Sequence, residues 1–291
     1  MEFKKDFIEK YSKLTDFNKY KESVLKEPRR ALRVNTLKIN VKGCLNLLQS
    51  KGWQLEQVPW CKEGFFLNSI EIGIGNSEEH KKGYFFVQSA ASMLPPVILN
   101  PKENDVVLDM SASPGGKTTH LAALMNNKGL IVANDVGNER LKILKINLQR
   151  CSVLNCIITN MSGDKVSGIE FDKILLDTPC SGSGLIKGNN LETKKTLKVW
   201  NENQIKRLAK LQKKLISNAF DLLKENGELV YSTCSLEPEE DENIIDFLLE
   251  NRNAKIINYD INIKSSHTKF IKLWPQYYGT EGFFIAKIKK I

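Results

Sequence analysis

Histidine is scarce in this sequence, with three residues in 291, and none stands beside cysteines at zinc-ligand spacing. The six cysteines, at positions 44, 61, 151, 156, 180 and 234, include no C-x-x-C pair. A zinc module or any other metal site is therefore not expected, and reduced thiols are the default. No apolar run reaches the length of a membrane span. The start, "MEFKKDFIEKYSKL", mixes acids among its lysines and has no apolar core of signal-peptide length, so an intracellular, cytoplasmic protein is expected (nucleolar in a eukaryote). Internal repeats, low-complexity segments and the dinucleotide pattern G-x-G-x-x-G are absent as well.

What is present is a globular composition, 41% hydrophobic and 26% charged, in a chain long enough for two unequal domains. The net charge of +9 and sequence pI of about 9.1 favour a polyanionic partner, because lysines and arginines that meet phosphates release condensed counterions. Lysine-rich usage reflecting genome composition is the bland alternative. The character of the chain changes near residue 85. Before it, a polar helical arm is expected over 3–26, a strand in "RRALRVNTLKIN", a short helix in "VKGCLNLLQSKG" stopped by Gly52, and strands in "WQLEQVPW" and "GFFLNS". After it, the apolar runs "DVVLDM", "LIVAND", "CIITN", "FDKILLD" and "GELVYST" alternate with amphipathic segments, which predicts βαβ crossovers and a sheet buried on both faces.

Ligands of open α/β sheets gather at the carboxyl ends of the strands. The first strand delivers "DMSASPGGKTTH", which misses a phosphate-binding P-loop because Ser111 stands where that motif needs glycine. The remaining reading is a Gly115-Gly116 turn that lets backbone approach a cofactor while a helix begins at 116. The second strand ends in Asp135, placed to accept hydrogen bonds from a ribose diol. Without a pyrophosphate signature, the expected cofactor is an adenosine compound such as S-adenosylmethionine. The fourth strand delivers Asp177 and Cys180 in "LLDTPCSGSG", and the fifth delivers Cys234 in "YSTCS".

These motifs, with "RALRVNTLKIN", "GYFFVQSAASMLPPVILNP", "LVYSTCSLEPEEDE" and the closing "YGTEGFFIAKIKK", resemble the Nol/Nop/Sun family of RNA cytosine-5 methyltransferases. The resemblance implies an α/β, Rossmann-like class I methyltransferase domain over 86–291, with a mostly parallel seven-stranded sheet and an antiparallel last strand near 283–289. Residues 1–85 would form a small α+β, RRM-like RNA-binding module. It further implies that Cys234 attacks C6 of cytosine, that Cys180 assists release, that Asp177 holds the base at N3 or N4, and that Lys117 belongs to the catalytic network. The cofactor-binding set carried over is Ser111, Ala112, Ser113, Pro114, Gly115, Gly116, Lys117, Asp135, Arg140 and Asp177. Attack by Cys180, as in DNA methyltransferases with a Pro-Cys nucleophile, is the chemical alternative.

A thiolate is wanted because C5 of cytosine is a poor nucleophile until a nucleophile adds at C6. Departures from the family pattern are Ser111 and Ser113 in the first loop, and Ser162, where relatives carry an aspartate that contacts the cofactor. Asp164 is not assumed to replace it. Arg140 reads first as an exposed helical arginine, Trp200 and His120 as packing residues, His80 and His267 as isolated, and "EEDEN" as the acidic start of a helix. The basic segments "KKDF" and "KEPRR" read as solvated faces or RNA contacts. The expected substrate is tRNA, with rRNA next, and the expected state is a monomer. An RNA-binding assembly factor with little activity is the alternative from a different class.

Overall fold

A computed structural model of the chain describes residues 2–27, 29–69, 73–188, 190–259, 261, 263 and 269–291. His267 lies outside them. Two helices open the chain, α1 (Lys5–Leu14) and α2 (Phe17–Leu25). The expected single arm is broken because Asp16 caps α2, its carboxylate accepting from the Lys19 amide. The arm is also less polar than expected. Phe7, Tyr11, Tyr20 and Val24 are buried on one face against Trp200 and Trp274.

Next come β1 (Ala31–Val34), α3 (Val41–Gln49), β2 (Gln54–Gln57), β3 (Gly64–Ser69), α4 (Glu78–Lys81) and β4 (Phe85–Val87). The strands form an antiparallel sheet ordered β2-β3-β1-β4. Gly52, just beyond α3, takes a positive φ of 81°, as its role as a stop predicts.

The remainder runs α5 (Leu94–Leu99), β5 (Val106–Asp109), α6 (Gly116–Leu124), β6 (Leu130–Asp135), α7 (Asn138–Arg150), β7 (Cys156–Asn160) and β8 (Phe171–Asp177). It continues with α8 (Leu191–Val199), α9 (Glu202–Asp221), β9 (Leu223–Thr233), α10 (Glu242–Asn251), β10 (Ala254–Ile256), β11 (Ile271–Leu273), α11 (Pro275–Tyr278) and β12 (Phe283–Lys290). The strand order is β7-β6-β5-β8-β9-β12-β10, parallel from β7 through β9 and antiparallel at β12. Seven strands were expected and eight are found among the described residues. β12 is long enough for β10 to pair with one end of its edge and β11 with the other.

Alternate residues of β8 enter different cores, Leu175 on one face and Ile174 and Leu176 on the other, so the sheet is covered on both sides. From β5 the chain winds outward through β6 and β7, then returns to β8 on the other side of β5. The switch point between β5 and β8 opens a crevice at the carboxyl ends of these strands.

The N-terminal sheet is joined to this crevice by Arg33. Burial on both sides of β1 leaves its guanidinium with no solvent contact. It donates to Gln88 Oε1 at 2.8 Å, to the Gly116 carbonyl at 2.6 Å and to Thr119 Oγ1 at 2.8 Å. Burial lowers its pKa to about 10. Arg33→Met should therefore remove three hydrogen bonds, strand Gln88 Oε1 and lower unfolding free energy by roughly 2–4 kcal/mol. The measurement is urea denaturation, and a loss below about 0.5 kcal/mol, the range of ordinary surface substitutions, would contradict the bridge.

Candidate active site

Parallel pairing sets Asp177 of β8 opposite Ser232 of β9, so the loops after both strands leave the sheet side by side. The Thr178 amide then donates to the Ser232 carbonyl at 3.0 Å, extending the pairing one step. The consequence is that Cys180 and Cys234, 54 residues apart in sequence, bring their sulfurs within 2.8 Å of each other. Both are half-buried free thiols.

Lys117, in the first turn of α6, donates to Asp177 Oδ2 at 2.6 Å, and Ser232 Oγ donates to Asp177 Oδ1 at 2.7 Å. Burial works against the Lys117 ammonium, yet the Asp177 carboxylate outweighs it and the net shift is upward. Cys234 is among the groups that favour that ammonium, so a fixed cation stands in its field. Cys180 is pushed well above the ordinary thiol range, first by its contact with Cys234, then by burial and the nearby Glu240.

A cleft of about 510 Å³ runs from these cysteines across the strand tips. Of the residues expected from sequence, Ser111, Ser113, Asp135, Arg140, Asp177, Cys180 and Cys234 line it. Ala112, Pro114, Gly116 and Lys117 line an adjoining hollow beneath Phe86 and Gln88. Gly115 needs its positive φ of 104°, but a Cβ there would meet Leu144 of α7 at 3.1 Å. The expected glycine turn is present, with α6 starting at Gly116, and Gly115 lies close against Leu144 of α7 as well.

Arg140 reaches back as a two-pronged partner of Asp135, with Nε at 2.7 Å from Oδ1 and Nη2 at 3.0 Å from Oδ2. The amides of Val136 and Ser113 supply the other two bonds, so all four acceptor positions of Asp135 are engaged. Ser162 also lines the cleft, and its hydroxyl donates to the Asp164 carboxylate.

Several site residues were not singled out from sequence. Leu211 and Leu215 of α9 wall the cleft, signalled only by the apolar face of that helix. Asn134 binds the tips together, donating to the carbonyls of Met110 and Met161 and accepting from Thr159 and the Met161 amide. The acids of "EEDEN" do start a helix, with Asp241 just before α10 and Glu242 in its first turn, but two of them also carry a buried network. Glu240 and Asp241 are fully buried, because Ser181, Ser235 and Gln212 donate to the first and Thr233 and Lys272 reach the second.

Trp200 packs edge-on against Phe7 and donates to Glu237 at 2.8 Å, as a packing role predicts. "KKDF" and "KEPRR" supply internal contacts: Lys4 donates to the carbonyls of Lys198 and Trp200, and Arg29 stacks on Phe66 and pairs with Glu56. His120 is buried with both ring nitrogens unpartnered, held neutral by burial and the Arg33 charge. Its ligand atoms and those of Cys61 and Glu63 lie within 4.8 Å of one another, but the Arg33 cation acts on the same three groups and disfavours a second cation there.

The strand order and the cleft at its switch point define a class I methyltransferase. The solved methyltransferase homologue from Pyrococcus horikoshii superposes with a TM-score of 0.85 at 40% identity, covering 94% of this chain and 90% of that one. NSun6 from the same organism, solved with SFG, an S-adenosylmethionine analogue, gives 0.90 at 27% identity over 99% of this chain and 98% of its own. Residues 96–289 match the family described as 16S rRNA methyltransferase RsmB/F, and residues 3–90 match the N-terminal domain of 16S rRNA methyltransferase RsmF. The chain belongs to the RsmB/F, or Nol/Nop/Sun, family of RNA cytosine-5 methyltransferases. It is 42% identical to ribosomal RNA small subunit methyltransferase F of Shewanella piezotolerans over 96% of its own length, but spans about 60% of that relative. It is 39% identical to tRNA (cytosine(49)-C(5))-methyltransferase of Pyrococcus abyssi, covering 99% of that protein. No helix among the described residues is long and apolar enough to cross a membrane.

Asp109, at the tip of β5, is the least expected feature of the site. It is fully buried, accepts from Thr118 Oγ1 at 2.7 Å through one oxygen, and leaves the other without a partner. Burial pushes its pKa up to about 7 from an ordinary 3.8. The stability that a neutral Asp109 allows is complete below the lower value and is lost as pH rises through the upper one. Asp109→Asn stays neutral, so its melting midpoint should rise relative to the parent between pH 4 and 8. Thermal unfolding across that range checks this, and a difference that does not vary with pH would contradict it.

Proposed function

We propose that the protein transfers a methyl group from S-adenosylmethionine to C5 of cytidine in structured RNA. The observation that carries this reading is the pair of thiols 2.8 Å apart beside the Asp177–Lys117 ion pair. tRNA is the first substrate to test, on the likeness to the archaeal tRNA enzyme, and rRNA the second. Residues 1–85 act as the RNA-binding module and 86–291 as the methyltransferase domain of a cytoplasmic monomer. The named relatives are bacterial and archaeal, which gives a nucleolar location no support.

The cleft suits the cofactor. Asp135 has the chemistry for a ribose diol, provided that Arg140 yields some of its acceptor positions, and the carboxylate-lined floor suits a sulfonium cation. Ser111, Ser113, Asp135, Arg140 and Asp177 would hold it, with the backbone of the 112–117 turn beneath. S-adenosylmethionine, when bound, supplies an electrophilic methyl group.

Cys234 Sγ bonds to C6, and the C5–C6 π pair shifts to C5, making that carbon the nucleophile. Asp177, fixed by Lys117 and Ser232, has a lone pair left on each oxygen to accept from the N4 amine and orient the base. Cys180 lies within reach of the same centre and assists the last step. There water organised by the site takes H5 as a proton, the C5–H electron pair re-forms the C5–C6 double bond, and the C6–Sγ bond breaks to expel the Cys234 thiolate.

Wild type, Cys180→Ala and Cys234→Ala should be incubated with methyl-labelled S-adenosylmethionine and separate tRNA and rRNA transcripts. Wild type is expected to form 5-methylcytidine. Cys180→Ala should trap RNA covalently and release product at least about 100-fold more slowly, and Cys234→Ala should neither trap nor methylate. Reversed behaviour of the variants would make Cys180 the nucleophile. Binding of RNA with no uptake of cofactor and no labelling would instead favour an assembly factor.

A further inference from the structure

Each of the two cysteines is followed by a serine, and both serines are bound by one carboxylate. Glu240 Oε2 accepts from Ser181 Oγ at 2.5 Å and from Ser235 Oγ at 2.6 Å. Oε1 accepts from the Ser181 amide at 3.0 Å and from Gln212 Nε2 at 3.2 Å. The same Gln212 nitrogen donates to the Pro179 carbonyl at 2.9 Å, and the Tyr231 hydroxyl donates to the Glu240 carbonyl at 2.6 Å. Glu240 has no solvent contact, and its side-chain partners among the described residues are neutral donors; burial raises its pKa, and the Ser181, Ser235 and Gln212 donors act against that rise to hold the charge.

We propose that Glu240 is a positioning residue that clamps the Cys180 and Cys234 loops into one unit and keeps a negative charge on the Cys180 side of the thiol pair. The proposal rests on the methyl-transfer reading and assigns to residues outside the cysteines the division of labour between them. Beyond the last ladder bond the two loops are joined by the Gly184 amide to the Cys234 carbonyl at 3.0 Å and by the Leu236 amide to Ser183 Oγ at 3.0 Å, but neither bond holds the residue that follows Cys180. A tie to the residue after each cysteine keeps the two in register, and misplacement of reacting groups by about 1 Å can cost about 100-fold in rate.

The charge acts alongside the geometry. Facing Cys180 are Cys234 and Tyr231 from β9 and its loop, Glu240 ahead of α10, and Asp177 of β8 with its Lys117 partner from α6. Of these, Cys234 first and then Glu240 disfavour a thiolate at Cys180, while the Lys117 ammonium lies in the field of Cys234. Environments that separate two like groups in this way separate their roles, leaving one to attack and the other to stay protonated until a proton must move.

The test measures iodoacetamide alkylation of each cysteine by peptide mass spectrometry from neutral to alkaline pH, beside methylation kinetics on saturating RNA. Glu240→Gln removes the charge and keeps the shape. Cys180 alkylation at pH 7 should rise about tenfold, one pKa unit, with Cys234 changing less than about twofold. An unaltered Cys180 profile in the folded variant would overturn the charge assignment. Glu240→Asp keeps the charge but falls short of the two hydroxyls, so it should leave Cys180 alkylation near wild type while kcat drops about tenfold and KM for RNA holds. Wild-type kcat in Glu240→Asp would overturn the clamp, whether or not the Gln variant folds. The alkylation readout needs no RNA. A shifted Cys180 profile with no methylation of any RNA therefore supports the charge assignment and sinks the methyl-transfer reading.

Discussion

The ion pair between Lys117 and Asp177 is the contact on which the arrangement at the strand tips depends. It spans the switch point, joining the first turn of α6 to the end of β8. Both partners are partly withdrawn from water, at 15% and 29% exposure, so each is the other's main charge compensation. Because Asp177 also binds Ser232 of β9, a single carboxylate sets the distance between the glycine turn and the strands that carry the thiols.

Support for that geometry comes from far along the chain. The segment after Cys234 is held by Glu237, which accepts from Tyr11 of α1 and from Trp200 and pairs with Lys10. Lys272 of β11 does the same for Asp241 and Glu242, behind the Cys234 strand. Both termini of the described chain thus brace one short loop. A buried polar network of this kind is advantageous only when every member finds its partner, which explains why so many of its residues have no solvent contact.

The sheet was readable in the sequence where chemistry is local. The strands at 130–135, 156–160 and 171–177 were bounded by the apolar runs themselves, and the turns holding Asp177, Cys180 and Cys234 followed from them. What escaped reading depends on partners distant in sequence. Glu240 looks like an acid opening a helix until Ser181, 59 residues earlier, is brought to it by the β8–β9 pairing. Arg140 looks solvent-facing, as half of it is, until the β6 tip supplies Asp135. The aromatic face of α1 and α2 was spelled out at helical spacing, but lysines on the other face masked it. Gly115 shows a different limit: sequence indicated a glycine turn there, and only the fold revealed its left-handed backbone, φ 104°, and its close approach to Leu144 of α7.

Arg33 carries a consequence for how this architecture can diversify. Its guanidinium rests on acceptors contributed by Gln88, Gly116 and Thr119, so the N-terminal sheet and the glycine turn share one hydrogen-bonding agreement. A recombination event that exchanged residues 1–85 for those of a distant relative would keep Gly116, yet could deliver a strand without the arginine or a cation of the wrong reach. Chimeras between such proteins should therefore be selected first on this one buried junction. Exchange of the N-terminal sheet becomes accessible only to pairs that already agree there.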